Sequence, residues 1–312
     1  MANYGKSNKL KRKAFELKQM QNFLMWQGSV VDKIMETLII PEIVKKEKLD
    51  FHLFAEEAVS LADQRFAFSK KRSYMEEGVT KTEAGDDFCI LNVHELEEPY
   101  TTSEISKAYQ NIRDAIISIP DILMPDSKTS LLDYLKEANA LYPNVTNRQI
   151  EIETANVKPQ IDLVLYDKMW KPVIMDWKVS DSWTSDYSKQ LVIIGLVIYL
   201  KRLETPDKPA FKYEEIKLYE VNLLKGIVKQ HEFTEDVAAG MIDEINLTSS
   251  DIKLIREDIK ENNLTIEDFD TTDNQSTCKF CNYATLCSFL IQNKFQYDEN
   301  AYLKFIQDKQ FT

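Results

Sequence analysis

Two short apolar segments in the middle of the chain each carry an aspartate within a run typical of a buried strand. The first reads Ile161-Asp-Leu-Val-Leu, and the second reads Val173-Ile-Met-Asp-Trp-Lys. Runs of apolar, largely branched residues of this length predict β-strands in the interior of a sheet. A charge inside such a strand costs free energy unless it is paired or binds a metal ion. These segments therefore predict both the centre of the fold and a functional site.

The spacing of the charged residues predicts that they meet. Side chains alternate along a strand, so Asp176 and Lys178 project from one face and Trp177 from the other. If the two strands pair through the turn at 167–170, Asp162 reaches the same end of the sheet. Two carboxylates can hold Mg²⁺ or Mn²⁺, and a lysine beside them can stabilise growing negative charge. This set of groups suits phosphodiester hydrolysis, and a purely structural Asp–Lys pair is the alternative.

Helical patterns surround the strands. Helices are predicted at 10–40, at 51–68 and at 103–117, the last with Ser103 as its N-cap. Strands are predicted at 149–154, 157–166, 172–178, 213–224 and 227–233, with a turn at Ala155-Asn156 and a helix from Ser182 to about Leu203. This order predicts an α/β fold with one sheet in a single domain over residues 1–312. Its parts are a helical region at 1–148, a sheet core at 149–233 and a helical region at 234–312.

Three of the four cysteines lie close together near the end of the chain. Cys278, Cys281 and Cys287 form a C-x2-C-x5-C pattern, whereas Cys89 lies far upstream. Thiolates at this spacing can bind zinc or an iron–sulfur cluster. Three scattered buried thiols are the alternative interpretation, and Cys89 is expected to be a free or structural thiol.

The composition limits the classes of function. A net charge of −12 argues against DNA binding through bulk positive charge, although carboxylates around a cation also contribute to that count. The longest apolar run, 191–200, is too short to span a bilayer. No signal peptide is visible, so the sequence predicts a cytoplasmic protein without a membrane segment. Neither a glycine-rich phosphate loop nor a recognisable nucleophile motif is present.

The order of these motifs resembles the PD-(D/E)XK nuclease superfamily. The resemblance is closest to the RecB and AddB nuclease domains and to the CRISPR-associated iron–sulfur exonucleases. It runs from about Asn3 to Cys287. The residues that carry it, besides the cysteines, are Ile161-Asp162, Asp176-Trp177-Lys178 and Gln190-Leu191. The resemblance implies a restriction-endonuclease-like fold, with a mixed β-sheet core flanked by helices and large helical parts at both ends.

The resemblance also implies a role for each matching residue. Asp162 and Asp176 would bind Mg²⁺ or Mn²⁺, with help from the Trp177 carbonyl. Lys178 would be the catalytic lysine, and Gln190 would support the site or contact DNA. A satisfied polar side chain at the edge of a buried helix is the alternative for Gln190.

The chain departs from the family pattern at three places. Asp32, four residues after Gly28, stands where the family has a metal-binding histidine, and an aspartate can also bind magnesium. Ile194 replaces the tyrosine of the glutamine helix. The relatives with an iron–sulfur cluster have a fourth cysteine before the first core helix, and no cysteine precedes residue 28 in this chain.

Two functional hypotheses follow. The first is a Mg²⁺- or Mn²⁺-dependent deoxyribonuclease, an exonuclease or a single-strand-acting enzyme, in DNA repair, recombination or defence against mobile elements. It would act on DNA, with a helicase or another DNA-processing protein as partner, and it would hold a 4Fe-4S cluster or zinc at the three cysteines. The second is a catalytically degenerate subunit that keeps the nuclease fold and binds DNA or protein. Asp32, Ile194 and the acidic charge motivate the second.

Overall fold

The structure is a computed structural model in which a defined set of residues is described. That set is 8–153, 155–181, 186–205, 207, 209–257, 272, 274–279 and 281–309. The chain divides into two compact units. The first comprises Met1–Trp26, Leu61–Ser106 and Arg256–Thr312, and the second comprises Gln27–Ser60 and Lys107–Ile255. The sheet core predicted at 149–233 lies within the second unit.

Helices make up most of the described chain. In chain order they are α1 (Lys9–Gln19), α2 (Phe23–Ile34), α3 (Ile40–Lys45), α4 (Phe51–Lys70), α5 (Lys81–Ala84), α6 (Asn92–Glu95), α7 (Thr102–Ile117), α8 (Leu131–Lys136), α9 (Ser188–Leu203), α10 (Glu235–Glu257), α11 (Gln275–Cys278), α12 (Ala284–Gln292) and α13 (Glu299–Lys309). A π-helical turn, Met35–Ile39, joins α2 to α3. Pro41 explains this turn, because it has no N–H to donate to the carbonyl four residues earlier. No helix in the described part of the chain is long and apolar enough to cross a membrane.

The strands form one main sheet and two small pairs. In chain order they are β1 (Met20–Gln21), β2 (Ile90–Leu91), β3 (Ala140–Val145), β4 (Ile150–Ile152), β5 (Ala155–Val157), β6 (Ile161–Tyr166), β7 (Pro172–Lys178), β8 (Lys217–Asn222) and β9 (Ile227–His231). The main sheet has the strand order β3-β6-β7-β8-β9. Its β7–β8 pair is parallel and its other pairs are antiparallel. The prediction of a mixed sheet flanked by helices is therefore confirmed.

Helix α9 connects the two parallel strands and packs on the sheet. A βαβ connection of this kind needs a crossover, which α9 supplies between β7 and β8. Gly195 lies at the closest approach, where a Cβ atom would come 3.1 Å from the Phe233 ring and 3.2 Å from Leu218. The glycine thus allows the helix backbone to approach the sheet closely. The buried face of α9 joins the apolar faces of β6, β7 and β8 in one core.

Two local predictions about helices are wrong. The single helix predicted over 10–40 is interrupted after α1, because Met20 and Gln21 pair with Ile90 and Leu91 as parallel strands. The pattern of apolar residues continues through this break, so periodicity alone does not reveal it.

The N-cap of α7 is also different from the prediction. Thr101, not Ser103, caps the helix, because the Thr101 hydroxyl accepts from the Glu104 N–H and the Glu104 carboxylate accepts from the Thr101 N–H. The N-cap predicted for α9, Ser182, lies outside the described residues, and the helix begins at Ser188.

The strand boundaries differ in one hairpin, at one edge and at the start of β8. Residues 213–216 were predicted as strand, but Tyr213–Glu215 is a 3-10 helix. Ala155-Asn156, predicted as a turn, belongs to β5, which pairs with β4. Glu153, predicted as strand, is a turn residue with a φ of 47°. Edge strand β3 was not predicted, since Pro143 in its middle is uncommon in strands and cannot donate to a ladder.

The first unit has its own apolar core and a buried polar network. Leu17 of α1, Ile90 of β2 and Phe289 of α12 belong to the same buried cluster. Within it, the Lys13 ammonium forms an ion pair with Glu95 at 2.8 Å, and the Tyr74 hydroxyl donates to Glu95 at 2.7 Å. Pairing on both sides satisfies the buried charge of Glu95.

Histidine 94 makes the stability of the first unit depend on pH. Burial, together with the positive charges of Lys70 and Arg72, lowers the pKa of His94 to about 4. In the unfolded chain the histidine has its ordinary pKa near 6.5, so between that pH and about 4 the unfolded state binds a proton that the folded state does not. Stability is therefore expected to fall as pH drops from about 6.5 to about 4, by on the order of 2 kcal/mol. Urea unfolding at several pH values should show a shallower fall for His94→Gln. Parallel pH profiles of the two proteins would contradict this assignment.

Candidate active site

The pairing of β6 with β7 brings two carboxylates together. The antiparallel register joins Leu163 to Met175, and one further step in the same register places Asp162 opposite Asp176. The Trp177 N–H donates to Asp162 Oδ2 at 2.9 Å. Asp176 is only 2% exposed, whereas Asp162 is half-buried. The convergence predicted from strand alternation is thus present in the structure.

Asp176 is held from two sides. Gln190, in the first turn of α9, donates from Nε2 to Asp176 Oδ1 at 2.9 Å. The Lys178 ammonium forms an ion pair with Asp176 Oδ2. Asp176 and Lys178 therefore share the face covered by α9, while Trp177 is buried on the other side of the strand. The predicted meeting of Gln190 with this site is present as well.

Lys178 is held at the end of β7 by its backbone and its side chain. Its carbonyl accepts from the Leu223 N–H at 2.9 Å, which anchors the strand end. Its Nζ lies 4.0 Å from the centroid of the Tyr187 ring. Burial lowers the pKa of Lys178, but the charges of Asp176 and Asp162 outweigh this effect and raise it above the ordinary 10.5. The side chain is therefore a fixed cation at neutral pH.

The two aspartates resist simultaneous ionisation. Burial, followed by the negative charge of Asp176, raises the pKa of Asp162 to about 7. Burial also raises the pKa of Asp176, in opposition to the nearby Lys178. Burial and mutual repulsion raise the pKa values of two adjacent carboxylates when one lysine does not neutralise both negative charges. A divalent cation between them would favour the ionised form of each.

Glu220 adds a third carboxylate beside Asp162 and Asp176, and His231 contacts it. Neither residue was identified from the sequence. Glu220 of β8 is the register partner of Asp176 in the parallel pair, and it is 3% exposed. Its Oε2 lies 3.0 Å from His231 Nε2 on β9. The signal that marked Asp162, an acid within an apolar strand, is also present at Lys217-Leu-Tyr-Glu-Val-Asn. Glu220 adds to the negative potential that raises the pKa of Asp176.

The strand pair, its covering helix and the mixed sheet agree with a comparison against family models. The model of the PD-(D/E)XK nuclease superfamily matches residues 8–288. The chain belongs to the PD-(D/E)XK nuclease superfamily. A comparison with curated proteins finds no match. The superfamily inferred from the motifs is therefore confirmed, while the RecB- and AddB-like branch stays a prediction.

Members of the PD-(D/E)XK superfamily typically use divalent metals, and the donors in this chain suit a hard cation. Magnesium binds through oxygen and commonly takes only one or two protein carboxylates, with water and phosphate as its other ligands. Asp162 and Asp176 supply such a pair, and burial is the main cause of their raised pKa values. Asp32 lies half-buried in α2, and its part in the site stays a prediction.

The cysteines of this superfamily member are not assembled into a metal site. Cys278 and Cys281 are exposed, Cys287 is half-buried, and all three are free thiols. Within the described ranges, no three histidine, cysteine, aspartate or glutamate side chains are gathered so that they could hold a metal ion. The three thiols are therefore not gathered in this structure, and the cluster stays a prediction from the sequence. Cys89 is buried, as expected for a structural thiol.

Proposed function

We propose that this chain is a Mg²⁺- or Mn²⁺-dependent deoxyribonuclease that acts on DNA ends or single strands. One observation carries the proposal: the carboxylates of Asp162 and Asp176 and the ammonium of Lys178 converge on one face of the sheet. Gln190, which bonds to Asp176, places the start of α9 at the same point. Membership of a superfamily that usually hydrolyses phosphodiester bonds in nucleic acids supports the reaction class.

The carboxylates would bind the cation, and their neighbours would hold them in place. When bound, Mg²⁺ or Mn²⁺ would polarise a phosphodiester and lower the pKa of the attacking water. The Trp177 backbone N–H donates to Asp162, and the Gln190 amide donates to Asp176, which limits the positions of both carboxylates. The Trp177 carbonyl and Asp32 are proposed as additional ligands.

Lys178 would act through its charge. Burial lowers the pKa of Lys178, but the charges of Asp176 and Asp162 raise it above the ordinary value, which favours the ammonium form over the neutral amine of a general base. The ammonium can instead donate a hydrogen bond to the attacking water or to the phosphate as negative charge develops there. The Tyr187 ring and Asp176 limit the positions of this ammonium before the substrate arrives.

A nuclease assay with defined metal content tests this function. Protein stripped of metal with a chelator is expected to leave end-labelled DNA intact, and added Mg²⁺ or Mn²⁺ should restore cleavage. Single-stranded and duplex substrates should be compared, and progressive shortening from an end would identify an exonuclease. Cleavage that persists in excess chelator would contradict the metal requirement. DNA binding without cleavage under any metal condition would favour the degenerate subunit.

The cysteine motif supports a separate proposal, a 4Fe-4S cluster or zinc held by Cys278, Cys281 and Cys287. Its spacing suits thiolate coordination, although the three side chains would have to move together to form the site. Iron and zinc content and the visible absorbance of anaerobically purified protein measure this directly. We expect iron with broad visible absorbance or stoichiometric zinc, either of which should be lost in Cys281→Ser. Metal-free protein that is fully folded would contradict the proposal.

The biological setting of the proposed nuclease is DNA repair, recombination or defence against mobile elements. A helicase or another DNA-processing protein is the proposed partner, and the sequence predicts the cytoplasm as the location.

A further inference from the structure

A groove with a volume of about 900 Å³ lies along edge strand β3 in the second unit. Arg148, Lys201 and Arg202 belong to its lining, and none of the described residues that line it is an aspartate or a glutamate. The whole chain, by contrast, has a net charge of −12. A cationic lining without acids on an acidic protein is complementary to a polyanion.

The three cations differ in how freely they could contact a phosphate. Arg148 is exposed and has no ion-pair partner in the part of the chain that the structure describes. Lys201 is paired with Glu204 at 2.6 Å in a solvent-accessible ion pair, which a phosphate can replace at little cost. The Arg202 guanidinium lies 4.5 Å from the centroid of the Phe211 ring, which fixes its plane. Together they line the groove with positive charge.

Aromatic side chains line the same groove as these cations. Trp170 is 60% exposed and Tyr142 is 52% exposed, and both line the groove. The Tyr166 ring lies between them, with its centroid 6.2 Å from each of the other two. The Trp170 backbone N–H donates to the Asp167 carbonyl at 2.9 Å, so Trp170 lies on a tight turn of the main chain. Exposed aromatic faces next to cations are typical of surfaces on which unpaired bases stack.

The groove leads to the candidate active site. Asp162, Val164 and Tyr166 project from the same face of β6, because side chains alternate along a strand. Val164 and Tyr166 line the groove, and Asp162 belongs to the carboxylate pair. Asn144, also in the lining, lies between two β3 residues that pair with Leu163 and Ile161, so its position is opposite Asp162. Asp162 therefore lies about 7 Å along the strand from Val164, where the lining of the groove ends on β6.

We propose that this groove binds the single-stranded segment of a nucleic acid whose scissile phosphate lies at Asp162 and Asp176. Trp170 and Tyr142 stack on bases, and Arg148, Lys201 and Arg202 contact phosphates. This inference rests on the proposed nuclease function and names the form of its substrate. A β-strand of a partner protein suits the edge poorly, because Pro143 lacks an N–H and Asn144 has a φ of 46°.

Binding measured without cleavage tests the groove directly. The full-length chain carrying Asp176→Asn, in chelator, is titrated into a fluorescently labelled oligo-dT of about 20 nucleotides, longer than most single-domain binding sites. Adding Trp170→Ala is expected to raise the Kd about 10-fold, and Trp170→Phe should restore most of the lost affinity. Adding Arg148→Ala should reduce the slope of log Kd against log salt by about 0.7. Met169→Ala is the matched control, since Met169 is 76% exposed next to Trp170 but outside the lining.

A small substrate separates failure of the groove from failure of the proposed function. Bis(p-nitrophenyl) phosphate is too short to reach the groove, so Trp170→Ala in the otherwise wild-type chain should cleave it normally while cleaving oligonucleotides more slowly. An unchanged Kd in both Trp170→Ala and Arg148→Ala would overturn the groove assignment. The assignment would also be overturned if Trp170→Ala lost cleavage activity equally on both substrates and Trp170→Phe did not restore it. Wild-type protein that cleaves neither substrate would instead overturn the nuclease function. A duplex that competes as well as the single strand would overturn the single-strand assignment.

Discussion

Asp176→Asn is expected to lower the rate of metal-dependent DNA cleavage by about 10³-fold or more, since a lost carboxylate ligand removes several kcal/mol of transition-state stabilisation. The fold should survive. Asparagine has nearly the same volume, and its Oδ1 can still accept the hydrogen bond from Gln190. Because the pKa of Asp176 is raised by burial, removing its charge should leave the thermal midpoint in chelator equal to or above that of the wild type.

Two measurements check this prediction together: single-turnover cleavage, and thermal unfolding with and without Mg²⁺ or Mn²⁺. The wild type should be stabilised by the cation and the variant much less, because only a folded chain with both carboxylates binds it well. Asp243→Asn, an exposed carboxylate of α10, is the matched control and should behave as the wild type in both. A variant with full activity, or one stabilised by metal as strongly as the wild type, would remove Asp176 from the proposed site.

Lys178→Met is expected to reduce kcat by about 10²- to 10³-fold, the range seen when a single group that stabilises developing charge is lost. Methionine is also unbranched, so the change removes mainly the ammonium and its contact with the Tyr187 ring. Asp162 and Asp176 remain. The variant should therefore still be stabilised by Mg²⁺ or Mn²⁺, which distinguishes it from Asp176→Asn.

The comparison with Lys168→Met makes this result specific. Lys168 lies in the turn between β6 and β7, and its ion pair with Glu137 is solvent-exposed. Such a pair contributes about 0–1 kcal/mol, so its loss should change neither stability nor cleavage measurably. Equal losses of activity in the two lysine variants, or wild-type kcat in Lys178→Met, would argue against a catalytic role for Lys178.

The sequence was most informative where a local pattern controls the structure. Strand β7 has the predicted bounds, Pro172–Lys178. An apolar run that lies between a loop and a polar segment defines clearly where the strand begins and ends. The predicted loop at 167–170 is present as well, closed by the Trp170 N–H bond to the Asp167 carbonyl. Alternation along β7 alone placed Asp176 and Lys178 on one face.

Parts of the candidate site depend on contacts between residues distant in the chain, and the sequence did not reveal them. Glu220 lies beside Asp176 only because β8 pairs in parallel with β7 in one particular register. Edge strand β3, which forms one wall of the groove, contains a proline that local propensity disfavours, and pairing with β6 overrides that preference. The break after α1 likewise comes from pairing with residues some 70 positions later.

The sequence by itself determined that this chain has an α/β fold of the PD-(D/E)XK superfamily and which strand positions carry acid and lysine. The fold class and the strand positions follow from periodicity and residue type, which are local properties, and the superfamily follows from the resemblance of the motif order. Only the tertiary structure decided which strands are neighbours, in which register, and therefore that Tyr187 and Glu220 lie beside Lys178 and Asp176. Strand register is selected by the burial of whole faces against α9 and the rest of the core, and no single segment contains that information.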